Sequence, residues 1–523
     1  MKRPVLWICS LFATLTAIYP FTRTFYRTEL SYNEGWNIYN AIAVADHHLL
    51  YPARYGWTTV NYPMLSFWIM AQLHRFTHDY LFTARVVSLL STIACCILVG
   101  FIVQKLTDSP RASWLAGFFC LAIFCTSADS YIGVDDPQFL ALAFFLAGFL
   151  LYIQLREKLP TLAIAGAACV FIIAACIKHN PIDFPLAVLL DLAFLSSPSM
   201  AKLRALWFSL CMIIFAAAAV ALNIHYGGPY FLSELFSPRG YSLTKGLIQA
   251  KDVLGPLLMP LCVACYTAFI IFKDEKKRIA AIFLFTSLAV SIYTSGGQGV
   301  SVNSHFSALL AIAILTGVFF HEIDSAQWAW PGKWLKTNAA AYAPLLLFAW
   351  FIIPAVVWNV WDPARNLRET AAAQTRFDED VAFLRDHDGP VLCESLLRCY
   401  FAGKPYLYDP FNSTRLIQLG KLDAGVPSNA IQKHQDAAIQ LDSPLPSEYA
   451  SGRFNPGMLD MIQQNYVPVL AHEDAIIYAP KVRSDSVQIV PMKPYYRQTA
   501  HARPDYRLAS PHHHSPKLLA ATS

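Results

Sequence analysis

The chain has 523 residues, of which 55% are hydrophobic and only 14% charged. That is more apolar side chain than the interior of a water-soluble protein of this length can absorb, so the surplus must face lipid and a purely soluble enzyme is excluded. A formal net charge of +5 is small for the length and gives no ground for a nucleic-acid partner.

Lys2 and Arg3 precede an apolar stretch to Tyr19 that resembles a signal peptide, but no small-residue cleavage site follows and many further apolar runs do, so it reads as a first span. A span takes about 20 apolar residues to cross some 30 Å of hydrocarbon (an order-of-magnitude ruler, roughly constant between bilayers). Applied along the chain, it predicts eleven spans, near 5–21, 80–104, 112–130, 137–154, 160–177, 181–196, 205–226, 253–272, 279–295, 304–320 and 339–358. The apolar run Tyr62 to Phe76 is short, contains Gln72 and His74, and is assigned to a helix lying at the interface.

Charge fixes the expected orientation. With the N-terminus inside, the inner connections hold Lys2, Arg3, Lys105, Arg111, Arg156, Lys158, Lys202, Arg204, Lys273, Lys276, Lys277, Arg278, Lys333 and Lys336. The outer ones carry fewer cations over a longer total length, among them Arg239, Lys245 and Lys251. This bias fits the positive-inside rule, with the N-terminus cytoplasmic and the C-terminal part extracytoplasmic.

The expected organisation is a membrane part at 1–358, with a first outer loop at 22–79 carrying interfacial helices, then a soluble α/β domain at 359–480 and a flexible tail at 481–523. In the soluble part Asp378 to Arg385 reads as a helix, and Pro390 to Cys393, Lys404 to Tyr408, Val467 to Leu470 and Ala475 to Tyr478 as strands. His512 to His514 in the tail read as solvated rather than metal-binding, and Asn412-Ser413-Thr414 as a chance glycosylation triplet unless the setting is secretory. Most of the twelve cysteines lie in apolar runs, where a thiol packs as a small hydrophobe. Cys393 and Cys399 are the one close pair in the soluble part; a continuous helix would set them about 9 Å apart, too far to bridge.

Ionisable groups are costly in lipid, so their placement is informative. Glu34 lies in the first outer loop, Asp135 and Asp136 between the third and fourth spans, Lys178 and His179 at the end of the fifth, Arg85 near the outer end of the second, and Asn303 and His305 at the start of the tenth. Each has a simpler reading: a solvated end or helix cap for the acids, snorkelling for Arg85 and Lys178, a satisfied interfacial histidine for His305, and a flexible loop for Gly296-Gly297-Gln298-Gly299. Five loops that bring acids, cations and hydrogen-bond donors to one membrane face are what favour a site.

The arrangement resembles the GT-C membrane glycosyltransferases, the broad class that includes protein O-mannosyltransferases and lipid A aminoarabinose transferases. The likeness covers most of residues 1–480 and rests on Asn33-Glu34-Gly35-Trp36 followed by Leu50-Tyr51-Pro52 and Asn61-Tyr62-Pro63, on Ala84-Arg85-Val86, on Val134-Asp135-Asp136-Pro137, and on Ile177-Lys178-His179. Many relatives begin the first motif with aspartate where this chain has Asn33, and the Glu-Lys-Pro-Pro stretch of the aminoarabinose enzymes is replaced by Val60-Asn61-Tyr62-Pro63.

The resemblance implies a mainly α, polytopic membrane fold with a small α/β domain outside, and transfer of a hexosyl or pentosyl unit from a polyprenyl-phosphate carrier to an acceptor hydroxyl, amine or phosphate on a glycan, lipid or protein. The place implied is the inner or plasma membrane. Glu34 is the expected general base, with Asn33, Asp135 and Asp136 in the same catalytic group. Arg85, Lys178 and His179 are the expected partners of the donor phosphate, and Asn61, Tyr62, Asn303 and His305 those of the acceptor. No cofactor is demanded; a divalent metal ion on Asp135 and Asp136 is the open alternative. A polytopic transporter or lipid-linked-sugar flippase is the rival, although its midplane charges and inverted repeats are not evident; a non-catalytic scaffold would explain Asn33 but not the gathered cations.

Overall fold

The computed structural model describes residues 3–194, 198–324, 342–351 and 362–481. Lys2, Lys333, Lys336, the tail histidines and the outer parts of the span expected at 339–358 lie outside them. The chain divides into two compact units between Glu379 and Asp380.

The first unit is helical. It begins with α1 (Arg3–Arg23), α2 (Asn33–Ala45), α3 (Leu65–Thr77), α4 (Tyr80–Thr107) and α5 (Pro110–Ser127). It continues with α6 (Gln138–Leu155), α7 (Pro160–Ile177), α8 (Asp183–Ala193), α9 (Pro198–Gly227) and α10 (Phe231–Leu235), then α11 (Leu243–Leu254), α12 (Leu258–Ile271), α13 (Arg278–Ser295) and α14 (Phe306–Asp324). Among the described residues eight helices are long and apolar enough to cross a membrane, which makes the chain a multi-pass membrane protein.

Where that count differs from eleven, the reasons are local. Helix α8 has eleven residues, about 16 Å of rise, too little to cross. Helix α5 has the length, but Arg111 near its start and Thr126 and Ser127 at its end make it less apolar. In the last expected span the described part is the short helix Tyr342–Phe351. Helix α3, with thirteen residues, is also too short to cross, as its composition led one to expect.

Lipid exposure is visible in the packing. Helix α9 leaves Leu203, Leu206, Ile213, Ile214 and Leu222 exposed along its length, which only an apolar solvent tolerates. Elsewhere small residues bring helices close: a Cβ on Gly317 of α14 would stand 2.5 Å from the Ala116 Cβ of α5. Where α5 ends and α6 and α14 begin, Phe124, Phe139 and Phe306 pack ring to ring, with centroids 5.0–5.3 Å apart, and Tyr131 adds its edge to Phe306. These rings floor the loop that carries Asp135 and Asp136.

In the second unit four strands, β1 (Val391–Cys393), β2 (Ala438–Leu441), β3 (Tyr466–Ala471) and β4 (Ile476–Pro480), form one sheet in the order β1-β2-β4-β3. β1 pairs parallel with β2, and β4 pairs antiparallel with both β2 and β3. Pro468 is accommodated because β3 is an edge strand. The stretch Lys404 to Tyr408, expected as a strand, forms none, and the fully buried β2 takes its place. The strands β1, β3 and β4 fall at the stretches expected for them.

Cys393 and Cys399 are disulfide-bonded, against expectation. The error lay in assuming one continuous helix: Cys393 ends β1, the helix begins only at Leu396, and the turn between them brings the Cα atoms to 6.0 Å. Alkylating the unfolded, unreduced protein and then reducing and relabelling it should mark Cys393 and Cys399 only in the second step, as read by peptide mass; labelling of either in the first step would contradict the bond.

Candidate active site

Glu34 stands on the first turn of α2 and Arg85 on the second turn of α4, 51 positions apart, and both are fully buried. They meet as a fork. Arg85 Nε donates to Glu34 Oε1 at 2.7 Å and Nη2 to Oε2 at 2.6 Å. The remaining guanidinium hydrogens go to backbone carbonyls of the loop after α1: Nη1 to Thr24 and Tyr26, and Nη2 to Thr28 at 2.5 Å. All five N–H groups of the arginine are spent within the protein. Glu34 is equally committed, for the backbone N–H groups of Leu30 and Asp135 also donate to it, at 2.8 and 3.1 Å.

Neither group has hydrogen-bonding capacity to spare in this arrangement: four bonds occupy both carboxylate oxygens of Glu34, and Arg85 has no donor left over. The pair is a brace that ties the first outer loop, α4 and the acidic loop together.

Asp136 and Lys178 form a second buried pair, Nζ to Oδ1 at 2.7 Å. Burial by itself would lower the Lys178 pKa; the Asp136 carboxylate, helped by the Tyr62 and Tyr131 hydroxyls, reverses that and raises it, so Lys178 stays charged. Its ammonium also lies 4.9 Å from the centre of the Tyr62 ring. Asp136 Oδ1 accepts a further bond from the Gln138 N–H at 2.8 Å, which caps α6. Oδ2 has only a long contact, 3.5 Å, with the Asn33 amide. Asp136 is thus fixed at one oxygen and lightly held at the other.

Asp135 differs from both. Its backbone is pinned, N–H to Glu34 and carbonyl to the Asn37 amide at 2.6 Å, yet its carboxylate has no hydrogen-bond partner among the described residues. Burial, and then the negative Glu34 and Asp136, raise its pKa well above the usual carboxylate range, with Arg85 offsetting only part. The loop can turn here because Gly133 takes a φ of +62°, and a Cβ there would stand 1.9 Å from the Thr24 hydroxyl.

The remaining expected residues divide. Tyr62 stacks edge-on against Trp36 and carries Lys178 over its face. Asn303 reaches the same place through Gln138, 3.3 Å from its side-chain oxygen. Burial, with the charges of Arg239 and Lys178 adding, lowers the His179 pKa to about 4, so its imidazole is neutral at ordinary pH. His305 is fully buried beneath, both ring nitrogens unpartnered, and Asn61 is buried and joins none of these pairs.

Arg239 was not singled out by the sequence. Its charge is felt at His179, and the Tyr62 hydroxyl at it, which sets it near these two residues. It makes no ion pair or hydrogen bond among the described residues. Its side chain is exposed. The glycine-rich loop fixes it there. Tyr241 bridges to Gly297, the Gln298 N–H donates to the Gly240 carbonyl at 2.8 Å, and Lys245 Nζ donates to the Gly297 carbonyl at 2.6 Å. Gly296-Gly297-Gln298-Gly299 is therefore a strut for the arginine loop. A lone arginine between Pro238 and Gly240, in an outer loop, was the available signal.

No family model and no curated protein matches the sequence. Solved structures do. ArnT from Cupriavidus metallidurans bound to undecaprenyl phosphate is 12% identical over 90% of this chain and 98% of its own, with a TM-score of 0.55. The apo form of the same protein gives 0.57 at 10% identity, over 91% and 98%. The oligosaccharyltransferase AglB from Archaeoglobus fulgidus, in complex with an inhibitory peptide and a dolichol-phosphate, gives 0.52 at 10% identity, over 89% and 72%.

The chain has the GT-C fold.

The fold expected from the motif order is therefore present, and in it the two buried ion pairs join stretches that the sequence keeps far apart. Removing one partner from a buried pair costs about 3–5 kcal/mol, whereas an exposed pair is worth under about 1 kcal/mol. Arg85→Ala or Glu34→Gln should accordingly cut the folded yield and the Tm of the detergent-purified protein sharply, while Arg365→Ala, which breaks an exposed pair with Glu369, should leave both nearly unchanged. Gly133→Ala should also lower Tm by several degrees, since the new methyl meets both a positive φ and the Thr24 hydroxyl; an unchanged melting curve would show that the loop is not held as described.

Proposed function

We propose that this chain is a membrane glycosyltransferase that takes a sugar from a polyprenyl-phosphate carrier and passes it to an acceptor hydroxyl, amine or phosphate at the extracytoplasmic face. The observation that carries the reading is the uncommitted cation Arg239 near His179 and Tyr62, with Lys178 over the same Tyr62 ring and paired to a carboxylate, Asp136, that has one oxygen lightly held. Solved GT-C proteins bound to undecaprenyl phosphate and to dolichol-phosphate support a lipid-phosphate donor.

In this reading Arg239 takes two phosphate oxygens and Lys178 offers the ammonium hydrogens not given to Asp136. Neutral His179 adds a hydrogen bond. Asp136 Oδ2 accepts the proton of the attacking group as its heteroatom bonds to the anomeric carbon. The bond from that carbon to the carrier phosphate breaks with its electrons, and the cations hold the charge left on the departing polyprenyl phosphate. Asn33 and Asn303 orient Asp136, directly and through Gln138. Glu34 and Arg85 act at a distance, by keeping the acidic loop in place. No divalent ion enters the reading: among the described residues no three His, Cys, Asp or Glu side chains converge, and an ammonium already sits on Asp136.

The disulfide supports an oxidising compartment for the second unit, which agrees with the charge bias of the loops.

Undecaprenyl phosphate should raise the Tm of the purified protein, and Arg239→Ala should abolish the rise while leaving the ligand-free Tm unchanged, as Arg239 is exposed. Asp136→Asn should keep the lipid-induced shift and lower sugar transfer in membranes by about 10²–10⁴-fold. A full shift in the Arg239 variant, or undiminished transfer in the Asp136 variant, would reject the assignment.

A further inference from the structure

The stretch Leu50-Tyr51-Pro52 of the first outer loop has no part in the proposed reaction. Tyr51 is only 1% exposed, so its hydroxyl must be spent within the protein. It donates to the backbone carbonyl of Tyr62 at 2.6 Å. Just beyond, the Met64 N–H donates to the Asn223 side chain at 3.0 Å, and Pro63 between them restricts the Tyr62 backbone to extended conformations. Tyr62 is thus held on both sides of its proline. Its ring is held as well, edge-on against Trp36 with centroids 5.2 Å apart, and the Lys178 ammonium lies 4.9 Å from its centre.

The backbone of Tyr51 makes a second set of bonds. Its N–H donates to the carbonyl of Gly227, the last residue of α9, at 2.8 Å, and its carbonyl accepts from the Tyr230 N–H at 3.4 Å. The ring packs at a tilt against Phe231, the first residue of α10, with centroids 5.1 Å apart. The fit is close: a Cβ on Gly227 would stand 2.5 Å from the Tyr51 ring, and one on Gly228, where φ is +124°, 2.5 Å from the Tyr51 carbonyl oxygen. In the same loop the Tyr55 N–H donates to the buried Glu234 carboxylate of α10 at 2.8 Å. From this corner the chain runs through α10 to Arg239.

One residue therefore touches both halves of the proposed donor site, Tyr62 with Lys178 on one side and the corner that leads to Arg239 on the other. A phosphate gripped by two cations needs them at a set spacing, and a displacement of about 1 Å is enough to cost such a site much of its hold. The ring of Tyr51 could be replaced by that of phenylalanine with the packing intact. Its hydroxyl could not, because that group makes the link to Tyr62.

We infer that Tyr51 is a positioning residue for the lipid phosphate: its hydroxyl fixes Tyr62, and with it the place of the Lys178 ammonium, relative to the corner that leads to Arg239. It touches neither phosphate nor sugar. The inference rests on the proposed donor site and adds to it the element that sets the spacing of its two cations.

The test is the melting of the full, detergent-purified chain against undecaprenyl phosphate concentration, in the wild type, Tyr51→Phe and Tyr152→Phe. Tyr152 supplies the control, since it too is buried and its hydroxyl donates to Asp191 at 2.9 Å, near the far end of α6. Both variants should lower the ligand-free Tm, as each loses one buried hydrogen bond. Tyr51→Phe should also raise the half-saturating lipid concentration by about fivefold or more, and Tyr152→Phe should leave it at the wild-type value. Equal half-saturation in the wild type and Tyr51→Phe, or an equal rise in Tyr152→Phe, would overturn the inference and leave the donor reading standing. A wild-type chain that does not respond to the lipid would overturn both. Should Tyr51→Phe fold poorly, hydrogen exchange in the wild type decides: the lipid should slow exchange in peptides covering residues 51–64 and 230–242 together, and protection confined to the second would overturn the inference.

Discussion

The guanidinium of Arg85 is the fastening on which the outer end of the first unit depends. It gives two hydrogens to Glu34 and three to the carbonyls of Thr24, Tyr26 and Thr28. A charge in such a place is tolerated only when every donor is satisfied, because the cost of an unpaired buried ion exceeds what its neighbours could return. That requirement works outward. Glu34 must lie opposite α4, the loop after α1 must turn its carbonyls inward, and the Asp135 backbone must come within reach of Glu34, so three stretches distant in sequence are brought to one point.

With that fastening in place, the polar groups at this end fall into two kinds. The inner kind, Glu34 with Arg85 and Asp136 with Lys178, is buried and paired. The outer kind, Arg239 and the half-buried His179, stands on loops that ion pairs do not consume. The loop bearing Arg239 is held by backbone contacts to Gly297 and Gln298, which leaves its guanidinium unspent. Chemistry at a membrane boundary needs both: charges that stay in register although lipid is close, and charges that remain available to a ligand.

The membrane character and the gathering of Glu34, Arg85, Asp135, Asp136 and Lys178 were legible in the sequence because both follow from one cost, that of charge in hydrocarbon. The helix α3 was read correctly as too short to cross, from its length and its histidines. Harder to read was each group's partner. Glu34 and Arg85 look like a base and a phosphate ligand when each is considered alone, and the structure pairs them at 2.6 Å. The Cys393 and Cys399 bond was missed because a helix boundary two residues away changes a distance by several ångströms. Strand β2 was missed because its four residues, Ala438 to Leu441, include one β-branched residue and no aromatic one.

Composition and periodicity determined that this chain spans a membrane with its ionisable groups at one rim, since transfer of a side chain between water and oil depends on the side chain itself. Which acid meets which cation, and that Arg239 comes to lie near His179, were decided only by the tertiary structure, because hydrogen bonds and ion pairs depend on distances of a few ångströms between residues that the sequence separates by forty positions or more.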